Sequence, residues 1–479
     1  MSISLLEVNN LQVSFRSEEG LTKAVDGISF TVNKGEITGI VGESGSGKSV
    51  TALSVMRLIP FPPGQITGGD IRYHCNDQAI NLTALSEMEM RAYRGREISM
   101  IFQEPMTSLN PVYTCGSQVM EAILLHRKVD KKEAMGQTIE LFRKVKLPDP
   151  EQAFHRYPHQ LSGGQKQRVM IAMAMSCSPK LLIADEPTTA LDVTVQKAIL
   201  ELLKELQEKE GMSIVFITHD LGVVAEIADQ VLVMYKGKIV EQNKVAEIFQ
   251  HPHHPYTKGL LACRPPLGKR LSRLPVISDF MEEVNGSVQE KQPGIGAAIE
   301  SWTVNEEQTR RRLEQLQSQA PLLQLKGIKT WFPAKKNIFG RAKGWIKAVD
   351  GVSFEVMPGE TLGLVGESGC GKTTLGRTIL LLTEPMEGEI IYDGKDLRSL
   401  SPAAMREMRK DIQLIFQDPY SSLNPRLSVG SAIMEPLQVH GLYGNEKARK
   451  DKVMELLEKV NLKPAHFDRY PHEFSGGQR

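Results

Sequence analysis

What this sequence has little of narrows it first. Cysteine is scarce: Cys75, Cys115, Cys177, Cys263 and Cys370 are odd in number, scattered, and form no Cys-x-x-Cys pair. That argues against a disulfide framework, a zinc site or an iron–sulfur cluster and fits a reducing cytosol. Long apolar runs are missing, none approaching the ~18 residues of a spanning helix. The opening MSISLLEVNN lacks the basic patch and apolar core of a signal peptide. Any membrane role is therefore expected to come through a partner. Surplus charge is absent too, with 58 Lys plus Arg against 57 Asp plus Glu, so nothing favours nucleic acid or an acidic tail.

What is there is a repetition. AVDGISFTVNKGEITGIVGES from Ala24 matches AVDGVSFEVMPGETLGLVGES from Ala348, and ISMIFQEPMTSLNP from Ile98 matches IQLIFQDPYSSLNP from Ile412. RYPHQLSGGQ from Arg156 likewise matches RYPHEFSGGQ from Arg469. In a chain of 479 residues this reads as two duplicated domains, each long enough to bury a core. Both copies carry the phosphate-loop pattern, Gly42-Glu43-Ser44-Gly45-Ser46-Gly47-Lys48-Ser49 and Gly366-Glu367-Ser368-Gly369-Cys370-Gly371-Lys372-Thr373. The glycines permit a tight turn that aims backbone amides at phosphate oxygens, and the helix that follows adds favourable dipole charge. Lys48 is expected to neutralise the β and γ phosphates and Ser49 to ligate magnesium; Lys372 and Thr373 are the counterparts. An ordinary Gly-rich turn is the competing reading. The apolar run ITGIV before the loop and the helix-compatible stretch after it supply the context the motif requires.

LLIAD before Glu186 and SIVFITHD ending at Asp220 read as further buried strands, so each core is expected to be α/β with a mainly parallel sheet. Asp185, at its strand end, suits the magnesium site, and Glu186 suits a general base or an orienter of attacking water. Between Asn110 and Arg156 the pattern turns helical, which suggests a helical subdomain inserted into the sheet domain. Residues 281–320 are polar and poor in apolar periodicity, and read as a linker with one short helix. Arg310, Arg311 and Arg312 stand among Glu306, Glu307 and Glu314 and read as a solvated helix face rather than a nucleic-acid contact.

Taken together, the phosphate loop, Gln103, Leu161-Ser162-Gly163-Gly164-Gln165, Leu182 to Glu186, Ala190-Leu191-Asp192 and His219 resemble the nucleotide-binding domain of ATP-binding-cassette proteins. The second half carries the phosphate loop, Gln417 and the signature Ser475-Gly476-Gly477-Gln478. The resemblance implies two P-loop NTPase domains, each with a mainly parallel sheet, an antiparallel β part and an inserted helical subdomain. It implies that Gln103 and Gln417 sense the γ-phosphate and magnesium, that His219 contacts the γ-phosphate, and that Asp192 communicates across a dimer. Phe15 and Phe332 stand where the family stacks an aromatic on adenine, with plain core packing as the alternative. The signature would close over ATP held by the opposite domain, so intramolecular pairing of the two halves is implied, with ATP and Mg2+ as the groups bound.

A narrower resemblance rests on the segments after Gln103 and Gln417 and on HPHHPYTKGLLACRPP from His251 to Pro266. These look like the ATPase subunits of oligopeptide, dipeptide and nickel importers, the tandem arrangement being most similar to glutathione-importer ATPases. His251, His253 and His254 are then a structural loop rather than a metal site. The expected division is a first nucleotide-binding domain at 1–250, an extension at 251–280, a linker at 281–320 and a second domain at 321–479. The implied partners are two multi-span permease subunits and a periplasmic solute-binding protein. The implied location is peripheral, on the cytoplasmic face of the inner membrane, with membrane contact only through the permeases. A soluble twin-cassette protein of translation or DNA metabolism, and a remnant that binds ATP with little turnover, are the other classes. The second half stops at its signature, so its acidic pair would lie beyond Arg479. LGLVG in that half is accordingly expected as an exposed apolar edge strand, and the half as prone to aggregation. Cys370 stands where the first loop has Ser46, open to a redox role but read as an incidental substitution.

Overall fold

The computed structural model describes residues 3–17, 20–75, 78–103, 108–189, 191–264, 266, 268–284, 286–334, 344–417, 422–474 and 477–478. It divides into two compact units, Met1–Glu306 and Glu307–Arg479.

The first unit is built on two sheets. Strands β1 (Ser4–Ser17), β2 (Gly20–Asn33), β4 (Gly64–Cys75) and β5 (Gln78–Asn81) form an antiparallel sheet in the order β2-β1-β4-β5. The second sheet takes β3 (Ile37–Val41), β6 (Ile98–Ile101), β7 (Leu181–Asp185), β8 (Ser213–Thr218), β9 (Gln230–Tyr235) and β10 (Lys238–Lys244) in the order β10-β9-β3-β8-β7-β6. All of its pairs are parallel except β10 with β9. Every residue of β3, β6, β7 and β8 is buried, as a parallel sheet covered on both faces requires, and that is why these segments are continuous apolar runs. One core, with Val8, Ile40, Val55, Ile183 and Val215, fills the space between the sheets. Another, with Phe142, Phe154, Val169, Leu203 and Phe216, joins the parallel sheet to helices Cys115–His126, Lys131–Lys144, Pro150–His155 and Gly163–Ala174. The helical insert therefore shares a core with the strand that ends in Asp185.

Residues 281–320 hold more structure than a linker. Strand β11 (Met281–Val284) pairs antiparallel with β12 (Ser287–Glu290), and helices Ile295–Trp302 and Glu306–Gln317 follow. Low apolar periodicity hides this because the anchoring is aromatic and sparse. Phe280 and Ile277 are buried, the Arg273 guanidinium lies 4.1 Å from the Trp302 ring centroid, and the helices themselves bury nothing. Arg310 and Arg311 pair with Glu314 and Glu307 one turn away, as a solvated face would.

In the second unit β13 (Leu323–Pro333), β14 (Trp345–Val356), β15 (Glu387–Tyr392) and β16 (Lys395–Asp396) repeat the antiparallel sheet, in the order β14-β13-β15-β16. Helices Val429–Val439 and Glu446–Lys459 pack around Val453, Leu457 and Phe467. The expected edge strand is absent: residues 361–365 carry no strand, and Leu362, Leu364 and Val365 are 44%, 49% and 90% exposed. In the first unit the equivalent runs are strands because β7, β8 and β9 pair with them. The second unit offers no counterpart of those three strands among the described residues, and an isolated five-residue run cannot hold a strand without a ladder. Among the described residues no helix is long and apolar enough to cross a membrane.

Candidate functional site

The site assembles where β3, β7 and β8 end. The chain leaves β3 at Gly42, whose φ of 153° belongs to glycine, and a Cβ there would stand 2.2 Å from the Met234 carbonyl oxygen. It enters helix Lys48–Val55 through Gly47, φ 102°, where a Cβ would stand 2.5 Å from the Ala24 carbonyl. Lys48 is buried, and its Nζ donates to the carbonyls of Gly42 and Glu43, each at 2.8 Å. The lysine is thus curled into its own loop. Burial lowers its pKa, opposed by the charges of Glu186, Asp185 and Glu43.

Ser49 Oγ donates to Asp185 Oδ1 at 3.1 Å. Asp185 ends β7 almost completely buried, and burial pushes its carboxyl up to about 6, helped by the Glu186 charge against the Ser49 hydrogen bond and Lys48. A hydroxyl and a carboxylate side by side are hard oxygen donors, the chemistry magnesium takes, so the residues present fit that ion.

Glu186 adopts φ 46°, a left-handed conformation uncommon for a side-chain-bearing residue. Its backbone N–H donates to the Ile217 carbonyl at 2.9 Å and so fixes it to the end of β8. Three donors converge on one carboxylate oxygen, Oε2: Thr189 Oγ1 at 2.9 Å, Gln103 Nε2 at 3.1 Å and His219 Nδ1 at 3.3 Å. Burial works to raise the Glu186 pKa, but the hydrogen bonds from His219 and Thr189 outweigh it and the group lies below its ordinary value. His219 is raised in return, chiefly by that hydrogen bond. A cavity of about 270 Å³ is lined by Ala24, Ser44, Gly45, Gly47, Lys48, Ser49, Val50, Gln103 and Glu186.

Lys48, Ser49, Gln103, Asp185, Glu186 and His219 therefore come together. Other residues singled out in the sequence serve their own elements. Ser162 caps helix Gly163–Ala174 in a capping box, its hydroxyl accepting from the Gln165 N–H at 3.3 Å while Gln165 Oε1 accepts from the Ser162 N–H at 3.1 Å. Gly163 starts that helix, and Gly164 allows close packing, since a Cβ there would stand 2.6 Å from Val195 Cγ1. Asp192 caps helix Val193–Glu210 by accepting from the Val195 N–H at 2.9 Å. Phe15 is half-buried against Gly64 and does not line the cavity, and Phe332 is exposed near the end of β13. Glu104 to Thr107 and Ala190 lie outside the described residues.

The second phosphate loop has the same local form. Lys372 Nζ donates to the carbonyls of Gly366 and Glu367 at 2.6 and 2.7 Å, Gly371 has φ 103°, and helix Lys372–Ile379 follows. Ser368 and Gly369 sit in the loop, and the exposed Cys370 places its Sγ 3.6 Å from Lys372 Nζ. Thr373 and Gln417 are exposed. Gly477 and Gln478 form an exposed turn, whereas Ser475 and Gly476 lie outside the described residues.

Two contributors escaped the sequence reading. Thr189 was legible only as a hydroxyl three residues past Glu186. Tyr256, within HPHHPYT, donates nothing recognisable to chemistry in sequence, yet its hydroxyl accepts the Glu43 N–H at 2.9 Å. The nearby histidines serve the backbone: the His253 and His254 N–H groups donate to Glu241, and His254 Nδ1 accepts the Tyr256 N–H.

The ABC transporter family model matches residues 25–189 and 349–479, and the model for the oligopeptide/dipeptide transporter C-terminal region matches 240–287. The glutathione import ATP-binding protein GsiA of Pectobacterium atrosepticum is 47% identical over 477 residues, spanning 99% of this chain and 74% of that protein. The protein of the same name from Salmonella paratyphi A is 49% identical over 480 residues, spanning 100% and 74%. The chain belongs to the ABC transporter family, with two cassette regions in tandem and an oligopeptide/dipeptide transporter C-terminal region between them.

Proposed function

We propose that the first unit binds ATP with magnesium and hydrolyses it, and that this work drives import of peptides or peptide-like solutes such as glutathione. The observation that carries the hydrolytic part is the convergence of Thr189, Gln103 and His219 on one oxygen of Glu186. Held on Oε2, the carboxylate keeps Oε1 for an attacking water. Its lowered pKa keeps it ionised at neutral pH, so it orients the water and draws its proton as charge develops. Lys48 exchanges its two loop carbonyls for the β and γ phosphates, and the loop amides cradle them. Ser49 and Asp185 would hold magnesium, which supplies charge neutralisation across the phosphates. His219 stands ready to sense the γ-phosphate while it holds Glu186 in place. In the second unit Lys372, Thr373 and Gln417 are assigned the corresponding nucleotide contacts.

The domain assignment proposed is 1–250 for the first cassette, 251–280 for the extension, 281–320 for the connection and 321–479 for the second cassette. The partners proposed are two multi-span permease subunits and a periplasmic solute-binding protein, with the chain at the cytoplasmic face of the inner membrane. What supports the import reading is the oligopeptide/dipeptide C-terminal region and the importer relatives.

Glu186→Gln tests the chemistry. MgATP binding is expected to persist while turnover falls about 10²- to 10⁴-fold, the usual contribution of a general base. A variant that still hydrolyses ATP within tenfold of wild type refutes the role. Co-purification with multi-span membrane subunits tests the import reading, and co-sedimentation with ribosomes instead would overturn it.

A further inference from the structure

The extension after the first cassette touches the phosphate loop from behind. Tyr256 lies on helix Pro255–Ala262, fully buried, its ring 4.4 Å from the Tyr235 ring at the end of β9. Its own N–H is satisfied by His254 Nδ1 at 3.1 Å, which fixes the start of the helix. Its hydroxyl accepts the N–H of Glu43 at 2.9 Å. Lys48 Nζ grips the same stretch from the other side, through the carbonyls of Gly42 and Glu43. The peptide joining Gly42 to Glu43 is therefore held at both polar ends: its carbonyl by Lys48, its N–H by Tyr256. When Lys48 turns toward a nucleotide, its contacts with both carbonyls are surrendered; the Glu43 carbonyl still accepts the Ser46 N–H at 3.2 Å, and the Gly42–Glu43 peptide keeps its Tyr256 contact. Burial keeps the phenol protonated well above the usual tyrosine range, so the hydroxyl stays neutral. The same extension also reaches the loop beyond His219. Arg264 lies 3.9 Å from Asp220, and its guanidinium occupies the space a Cβ on Gly222 would need, 2.4 Å away.

We propose that Tyr256 is a positioning residue for ATP binding: its hydroxyl holds the Gly42–Glu43 peptide in the nucleotide-accepting orientation, making the C-terminal extension part of the first ATP site. Removing the hydroxyl frees the Glu43 N–H to turn toward another acceptor, and binding must then restore the loop before the phosphates fit. The inference rests on the first unit being an ATP site.

The test is Tyr256→Phe in the full chain, which deletes one oxygen and keeps the ring. In a Glu186→Gln background, titration with MgATP is expected to show a Kd raised about five- to tenfold, the scale of one net hydrogen bond. Hydrogen exchange at the Glu43 amide of the nucleotide-free protein is expected to accelerate at least tenfold. A hydroxyl that serves only the fold would lower the Tm while leaving the Kd within twofold and Glu43 exchange unchanged, and that result overturns the proposal. Failure of the ATP-site reading looks different: the protein with Tyr256 intact would not bind MgATP, or would bind it equally well after Lys48→Ala. The exchange measurement needs no nucleotide and decides the loop contact in either case.

Discussion

Replacing Asp185 with asparagine is expected to stabilise the metal-free protein and, on the proposed function, to end MgATP turnover. Burial lifts this carboxyl from an ordinary 3.8 to about 6. At ~1.4 kcal/mol per tenfold change, keeping it ionised in the metal-free protein costs about 3 kcal/mol at pH 8. The sign follows from proton counts. Between 3.8 and about 6 the folded state holds more protons than the unfolded chain, so this group's contribution to stability falls as pH rises through that window and stays low above it. Asparagine carries no charge to desolvate and its oxygen still accepts from Ser49, though a neutral acceptor makes a weaker bond than a carboxylate. The net expectation is a gain of roughly 1–3 kcal/mol, or roughly 2–8 °C in Tm for a unit of this size. Calorimetry in EDTA at pH 8 and pH 5 measures it, the relevant transition being the one MgATP shifts in the wild type. At pH 5 the wild-type carboxyl is mostly protonated when folded, so the advantage should shrink to about half. An asparagine variant that melts at or below wild type at pH 8, or whose advantage is the same at both pH values, refutes the reasoning.

Other outcomes follow from neighbouring geometry. The His219 contact with Glu186 raises the imidazole pKa above 6.5, so its stabilisation is complete below 6.5 and is lost as pH rises through the folded value; NMR titration of the ring should show the raised value and its return toward 6.5 in Glu186→Gln. Ser162→Ala removes a helix cap and should cost about 1 kcal/mol in urea unfolding of the first unit. Gly164→Ala drives a methyl to within 2.6 Å of Val195 Cγ1 and should cost about 1–3 kcal/mol, recovered in part by Val195→Ala. Val41→Lys should unfold the first unit, because it puts a charge into a fully buried strand. The matching Val365→Lys, at a 90% exposed position, should change stability by under ~0.5 kcal/mol and reduce light scattering of the chain.

Much of the fold was legible because it is written in local terms. ITGIV, LLIAD and SIVFIT are unbroken apolar runs, and each became a buried strand of the parallel sheet. Residues 281–290 were not legible, since the hairpin there depends on Phe280, Arg273 and Trp302 meeting from distant positions. At the site, the lysine, hydroxyl and acids were named from motifs, but their electrostatics were not. The raised Asp185 and lowered Glu186 differ because burial prevails at the first, whereas at the second the hydrogen bonds from His219 and Thr189 overcome it. Neither burial nor donor number is a property of the Asp-Glu pair in the sequence.

The two halves separate what sequence decides from what tertiary structure decides. Both phosphate loops take the same form, glycine φ near 153–159° and 102–103° with the lysine on the same two carbonyls. Tyr157 stacks on His159 as Tyr470 stacks on His472. Those features close within a few residues, so the sequence alone determines them. Ile101 and Ile415 each stand in the sequence Ile-Phe-Gln, yet the first is 1% exposed and the second 97%. Val41 and Val365 both precede Gly-Glu-Ser and are 0% and 90% exposed. A parallel strand has no hydrogen-bond partners of its own; in the first unit β7, β8 and β9 supply them, and among the described residues the second unit has no counterpart. The motif specifies the loop; the sheet decides whether a buried Asp185 and a tethered Glu186 stand opposite it.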